Sequence, residues 1–202
     1  MGIDPVVAVR VLKEAVGCYE AAGVPVWMQD GTLLGAVREG RTLAHDRDMD
    51  LGLMSERYKP EADKRLREAG FQNLGNYNAP TRHYHQKWSK DGIRFCVFHY
   101  YREPDGRIYH GIKRMDYVFV YPREFEIKRI PIGGELIPAP HPPEEWLEIK
   151  YGADWRTPVK VWNCRTMPSN AYRVRINPSG NKYPAPRPNY RPNPRFRKRE
   201  RE

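Results

Sequence analysis

The sequence contains no uninterrupted apolar run of about 18 residues, and its first residues lack the charged, then apolar, then small-residue layout of a secretory signal. These absences argue against a membrane-spanning helix and predict a cytoplasmic protein. Cysteine is also scarce: Cys18, Cys96 and Cys164 are odd in number, far apart and never in a Cys-x-x-Cys spacing. This pattern fits neither a disulfide framework nor a structural zinc site, and it predicts reduced, mostly buried thiols.

Aliphatic residues are rare near the C-terminal end, where 183–202 reads YPAPRPNYRPNPRFRKRERE. Such a segment has too little apolar surface to bury and too many prolines to form a sheet. Residues 173–202 carry ten Lys or Arg and two Glu, which is +8 of the net charge of +10. We predict one domain over 1–172 and a disordered basic tail over 173–202, suited to contact nucleic acid, an anionic glycan or a membrane surface.

Hydrophobic periodicity and turn residues predict a mixed α and β domain. Asp4-Pro5 predicts the start of an amphipathic helix that ends before Gly23. The elements predicted after it are a strand at 24–29, a short helix at 32–39, a strand at 48–54, a charged helix at 58–69, strands near 82–89, 93–101 and 115–121, a hairpin over 127–140 and a helix at 142–152.

The segment DGTLLGAVREGRTLAHDRDMDLGL, residues 30–53, contains three alternating aspartates, Asp46, Asp48 and Asp50. Residues two apart on a strand share a face, so the three carboxylates would lie together if the strand reached back to Asp46. A solvated strand end is the ordinary explanation of such a cluster. The alternative is a divalent cation, and all-oxygen ligands favour Mg²⁺ or Mn²⁺ over zinc.

A Gly31-Thr32 step precedes the aspartates, at the predicted start of a helix. The first N–H groups of a helix lack partners within the helix and readily bind a phosphate. Carboxylates that hold a metal, next to a phosphate-binding turn, indicate phosphoryl or nucleotidyl transfer.

The segment WMQDGTLLGAVREGRTLAHDRDMDLGL, residues 27–53, resembles the signature of the LicD family, which includes the fukutin-type transferases. IPIGGELIPAPHPPEEWLEIKYGADWRTP, residues 130–158, resembles the second landmark of that family. The resemblance implies an α+β nucleotidyltransferase fold related to DNA polymerase β. It also implies transfer of a phosphorylated alcohol, such as phosphocholine or a polyol phosphate, from a CDP-linked donor to a glycan hydroxyl.

Carried over to this sequence, the resemblance makes Asp48 and Asp50 the metal pair and places Gly31 and Thr32 at the donor phosphates. Arg38 falls at the arginine of the family, where its guanidinium could meet a phosphate. His45, beside the aspartates, is a candidate donor to phosphate or a group that orients a carboxylate.

One position departs from the family pattern, because Cys96 stands where relatives have a further aspartate. A neutral thiol is a poor magnesium ligand and a poor base. Asp46 could take the missing role, Asp116 could supply it from a neighbouring strand, or the activity is altered. Two other functions therefore stay open: transfer of a nucleoside monophosphate to RNA or protein, and polyanion binding by an impaired homologue.

His83, His85 and His99 lie among aromatic residues on predicted strands. Alternating His and Tyr is more typical of a half-exposed sheet face than of a zinc site. We expect Trp27, Trp88, Trp146 and Trp155 to pack in the core.

Overall fold

The computed structural model describes residues 2–79, 83–102, 104, 106–111, 117–121, 125–159 and 171–173. The described helices are α1 (Pro5–Ala21), α2 (Asp30–Glu39), α3 (Pro60–Glu68) and α4 (Pro143–Tyr151). The strands are β1 (Trp27–Met28), β2 (Met49–Met54), β3 (Gln72–Ala79), β4 (His83–Lys90), β5 (Ile93–Arg102), β6 (Ile108–Gly111), β7 (Tyr117–Tyr121), β8 (Glu126–Ile132), β9 (Glu135–His141) and β10 (Ala171–Arg173).

Most predicted elements are present, with shifted ends. The predicted strand at 24–29 is a strand only at Trp27–Met28, and the helix predicted from residue 32 already begins at Asp30. Strand β2 begins at Met49, so Asp46 and Asp48 precede it. Residues 174–202 and Asp116 lie outside the described residues, so the predicted basic tail and its contacts stay a prediction.

The main sheet has the order β1-β2-β5-β6-β7-β10, with β4 also paired to β5 and β3 paired to β4. Only β2 and β5 run parallel among these pairs; the others are antiparallel. Strands β8 and β9 form a separate hairpin. The parallel pair places Asp50 opposite Cys96, near the centre of the sheet.

One face of this sheet forms the core with α1 and α3. Met49, Leu51 and Leu53 are completely buried there, as the alternation of β2 predicts. Asp63 of α3 accepts two hydrogen bonds from Gln86 Nε2 of β4, at 2.9 and 2.8 Å. Lys90, at the end of β4, contacts Glu14 of α1. The helices therefore cover this face and leave the opposite face for Asp50.

The opposite face carries an aromatic cluster that joins the sheet to the hairpin and α4. The Trp27 ring lies 5.2 Å from that of Tyr100 and 5.0 Å from that of Phe125, and Phe125 lies 4.4 Å from Trp146. The four tryptophans expected in the core are buried, at 1%, 0%, 4% and 5% exposure for Trp27, Trp88, Trp146 and Trp155.

Gly52 makes room for this cluster, because a Cβ at that position would lie 2.6 Å from Cε2 and Nε1 of Trp27. We expect Gly52→Ala to lower the free energy of unfolding by about 1–3 kcal/mol, since a rigid indole cannot move without disturbing its neighbours. Gly17→Ala is the control, because a Cβ there meets nothing within 4 Å and alanine favours a helix. Denaturant unfolding that shows both variants at least as stable as the wild type would contradict this account.

The prediction that these histidines lie on a half-exposed sheet face is wrong for the two whose side chains are described. His85 and His99 are 3% and 2% exposed. His99 lies between aromatic rings, 4.4 Å from the ring of Tyr84 and 5.1 Å from that of Tyr58. On the other face of the sheet, His85 lies 5.5 Å from the ring of Tyr77 and 5.2 Å from that of Phe98, so each histidine is covered by a separate aromatic group that the alternation of His and Tyr does not reveal.

Burial and the neighbouring His85 lower the pKa of His99 to about 3. Between an unfolded value near 6.5 and this folded value, the unfolded chain holds a proton that the folded chain lacks, so stability falls as pH falls. From pH 7 to pH 5 the expected loss from His99 is about 2 kcal/mol. Denaturant unfolding at both pH values should show a smaller loss of stability for His99→Gln than for the wild type.

Among the residues described, no helix combines the length and the apolar character needed to cross a membrane.

Candidate active site

The turn from β1 into α2 brings Gly31 and Thr32 next to the aspartates. Gln29 N donates to the carbonyl of Asp50 at 3.1 Å, and Asp50 N donates to Thr32 Oγ1 at 2.8 Å. The Thr32 side chain is buried. Its hydroxyl therefore holds Asp50 in place.

Glycines along α2 let the chain between α2 and β2 return close to the helix. A Cβ on Gly35 would lie 2.6 Å from the carbonyl oxygen of Arg41, and one on Gly31 would lie 3.1 Å from Asp46 Oδ1. At the other side of this segment, Ile3 N donates to the carbonyl of Asp46 at 3.1 Å. Two glycines of the sequence motif thus place the Asp46 carboxylate against the first turn of α2.

A row of polar side chains crosses three strands on the face of Asp50. The β2–β5 register places Asp50 opposite Cys96, and the β4–β5 register places Lys87 opposite Cys96. Paired residues of neighbouring strands project from the same face. Cys96, at the position where the sequence departs from the family pattern, therefore lies on the same face of the sheet as Asp50.

The charges of the three aspartates act on one another, although Asp46 and Asp48 do not belong to the strand. Burial raises the pKa of Asp50 well above its ordinary value, and the charges of Asp48 and Asp46 raise it further. Burial also raises the pKa of Asp46, against the charge of His45. His45 itself is exposed. The strand does not reach back to Asp46, so a loop and not strand alternation brings Asp46 toward the first turn of α2.

Burial and the charges of Asp50 and Asp48 raise the pKa of Cys96 to about 12. The thiol is 8% exposed and stays protonated at neutral pH. A protonated thiol neither accepts a proton from a hydroxyl nor binds Mg²⁺ well.

Arg38 and Tyr151 lie beside the same carboxylates. The Arg38 side chain is only 14% exposed; Nη2 is 3.3 Å from Glu39 Oε1, and Nε has no partner among the described residues. Burial raises the pKa of Tyr151 well above its usual range; Asp50 raises it further and Arg38 opposes the change. Arg38 thus adds positive charge near Tyr151, and its contact with a phosphate stays a prediction.

Sequence reasoning about individual positions missed Tyr151, Lys150 and Gln29. Tyr100 donates a hydrogen bond to Gln29 Oε1, and Lys150 forms an ion pair with Asp30. The sequence predicted a helix at 142–152 and placed the Tyr151-Gly152 step in the second landmark, but neither signal gave Lys150 or Tyr151 a role in the site.

Oxygen ligands for a hard cation are present in this site. Within the described ranges, no three side chains of His, Cys, Asp or Glu are grouped so that they could hold a metal ion by themselves. Asp46 Oδ2, however, is buried without a hydrogen-bond partner among those residues. Mg²⁺ is commonly held by one or two carboxylates together with phosphate oxygens of the substrate. Asp48 and Asp50 fit that arrangement.

The family model for the LicD/FKTN/FKRP nucleotidyltransferase domain matches residues 23–141, which include α2, the aspartates and Cys96. The chain belongs to the LicD family. The matched range covers more than half of the chain, and it includes the β2–β5 pair.

Curated relatives of this LicD-family chain include the human ribitol-5-phosphate transferase FKTN, 25% identical over 191 residues. That match covers 86% of this chain and 37% of the relative, so the chain spans little more than a third of the length of the human protein. Human ribitol 5-phosphate transferase FKRP is 45% identical over 56 residues, which are 26% of this chain and 11% of the relative.

A solved structure supports the fold. The solution structure of the antibiotic-resistance factor ANT(2'')-Ia aligns with a TM-score of 0.50 at 16% sequence identity, and the alignment covers 80% of each chain. The LicD-family chain therefore has the predicted α+β nucleotidyltransferase fold.

Proposed function

We propose that this LicD-family chain is a metal-dependent transferase that moves a phosphorylated alcohol from a CDP-linked donor to a glycan hydroxyl. The observation that carries the proposal is that Asp46 packs against Gly31 and Asp50 is hydrogen-bonded to Thr32, both at the first turn of α2. Ribitol phosphate is the proposed transferred group, because the names of the human relatives specify ribitol-5-phosphate transfer.

The donor diphosphate would lie between α2 and β2. The N–H groups of the first turn of α2 would donate to it. Arg38 adds a guanidinium, whose fork of donors suits phosphate oxygens. Mg²⁺ or Mn²⁺ held by Asp48 and Asp50, when bound, would neutralise the diphosphate charge. Catalysis would then rest on positioning and charge stabilisation.

The reaction exchanges one bond to phosphorus for another. The acceptor hydroxyl oxygen forms a bond to the phosphorus that carries the alcohol, while the bond from that phosphorus to the bridging oxygen of the diphosphate breaks. CMP leaves with the bridging oxygen, and the hydroxyl proton passes to Asp46. We assign the proton to Asp46 because its Oδ2 has no hydrogen-bond partner among the described residues and could accept one. The Cys96 thiol stays protonated and could not.

The test begins with a thermal-shift screen of CDP-, UDP- and ADP-linked donors, with and without Mn²⁺, because a ligand that binds the native state raises its melting temperature. CDP-ribitol is expected to give a metal-dependent shift. Incubation with a glycan acceptor should then release CMP and leave ribitol phosphate on the glycan. Pyrophosphate release from a nucleoside triphosphate, with the nucleotide left on RNA or protein, would overturn the proposal in favour of nucleotidyl transfer.

A further inference from the structure

A buried lysine at the end of α4 has no part in the mechanism above. The Lys150 side chain is 2% exposed, and its ammonium contacts the carboxylate of Asp30 at the start of α2. The same ammonium lies 4.6 Å from the centre of the Phe119 ring. A charge is costly to bury without a partner, so the position of Lys150 depends on Asp30.

Asp30 has an unusual backbone conformation, with a φ of +50°. This left-handed region is uncommon for residues other than glycine, although Asp and Asn adopt it more readily than most. Such conformations persist where the surrounding structure fixes them. Here Gln29 is fixed on one side, since its carbonyl accepts from Leu33 N at 3.1 Å. The contact with Lys150 fixes Asp30 itself.

The conformation of Asp30 decides where the following residues point. Gly31 and Thr32 come next in the chain, and Thr32 Oγ1 accepts the hydrogen bond from Asp50 N. A change in the backbone angles of Asp30 would reorient the N–H groups of the first turn. It would also displace Asp50, through its hydrogen bond to Thr32. The ion pair therefore connects α4 with both the phosphate-binding turn and a carboxylate of the site.

We propose that Lys150 is a positioning residue, whose ion pair with Asp30 fixes the first turn of α2 so that its N–H groups face the donor diphosphate. Lys150 does not touch the donor in this scheme. The identity of the ligand rests on the proposed function, whereas the ordering of the turn does not.

The test compares Lys150→Met and Asp30→Asn with Lys150→Arg. Asparagine retains the size of Asp30 and tolerates its φ, so Asp30→Asn removes the charge alone. The first two variants are expected to raise the Kd and KM for CDP-ribitol with Mg²⁺ about tenfold, with kcat changed by less than about threefold. Lys150→Arg should restore most of the affinity, because it retains the charge.

Two controls separate positioning from a general loss of stability. Lys13→Met removes another ion pair, Lys13 with Glu135 at 2.7 Å, and Ile137→Val trims a fully buried side chain on β9. Both controls should bind CDP-ribitol like the wild type. Wild-type affinity in Lys150→Met and Asp30→Asn would overturn the proposal.

Amide hydrogen exchange of the ligand-free protein gives a readout that needs no donor. Exchange at Leu33, whose N–H donates to the carbonyl of Gln29, should be faster in Lys150→Met and Asp30→Asn, and unchanged in Ile137→Val. If the wild type binds no CDP-ribitol, the proposed donor is wrong. The exchange rates then test the positioning role of Lys150 by themselves. Faster exchange confined to the first turn then supports the positioning role, and unchanged exchange in both variants overturns it.

Discussion

Asp50→Asn is expected to lower kcat/KM by about a thousandfold or more while the fold stays intact, and Asp48→Asn should do the same. Both carboxylates are proposed to hold the metal, and an amide oxygen carries no charge to neutralise it. The loss should therefore appear in metal-dependent donor binding as well as in turnover. Wild-type turnover by either variant under saturating Mg²⁺ would refute the assignment.

The stability of the Asp50 variant separates this account from misfolding. Since the folded pKa of Asp50 is raised, the folded metal-free protein keeps a proton that the unfolded chain loses above about pH 4, and stability falls as pH rises through that range. Asp50→Asn removes this cost, so its melting temperature without Mg²⁺ should equal or exceed that of the wild type. Asp91→Asn, in the exposed ion pair with Arg10, is the matched control with unchanged activity.

Asp46→Asn is expected to lower activity far more than Cys96→Ser, by about a hundredfold or more if Asp46 accepts the proton of the acceptor. Serine replaces the neutral thiol with a neutral hydroxyl of similar size, so Cys96→Ser should change activity little. Activity and melting temperature, each with and without Mg²⁺, form the measurement. If Cys96→Ser were as damaging as Asp46→Asn with the fold intact, the thiol would have a part in the site and the roles assigned above would be wrong.

Cys96→Asp restores the family residue on the face where Asp50 lies. Without Mg²⁺ a third carboxylate in this buried cluster should lower the melting temperature, because it is desolvated and repelled by Asp50 and Asp48. With Mg²⁺ the stability should return, and both metal affinity and turnover should rise. If the melting temperature of Cys96→Asp is equally low with and without Mg²⁺, the carboxylate at this position does not bind the metal.

Local patterns in the sequence predict the elements that carry the motif. The periodicity of α1, the apolar alternation of Met49, Leu51 and Leu53, and the short helix before the aspartates all follow from residues close together in the chain. Strand β3, with the sequence QNLGNYNA, was not predicted, because it has almost no apolar residues and its identity as a strand depends on pairing with β4.

The candidate site was predictable to the extent that it lies within one motif. Strand alternation was the predicted reason for Asp46 to lie near the motif, whereas in the structure a loop packed on Gly31 and Gly35 places Asp46 against the first turn of α2. Lys150 and Asp30 are 120 residues apart, and no local pattern connects a lysine at a helix end with an aspartate in a distant turn. Contacts of that kind are set by tertiary packing.

The site around Asp50 can form during refolding only when β2 has paired with β5. The hairpins β3–β4 and β4–β5 pair strands that are adjacent in the chain. The pairing of Asp50 with Cys96 joins β2 to β5, which are separated in the chain by α3, β3 and β4. Non-local parallel pairing has a larger loop-closure cost and forms more slowly. Binding of the proposed donor should therefore be regained only after the hairpins have formed.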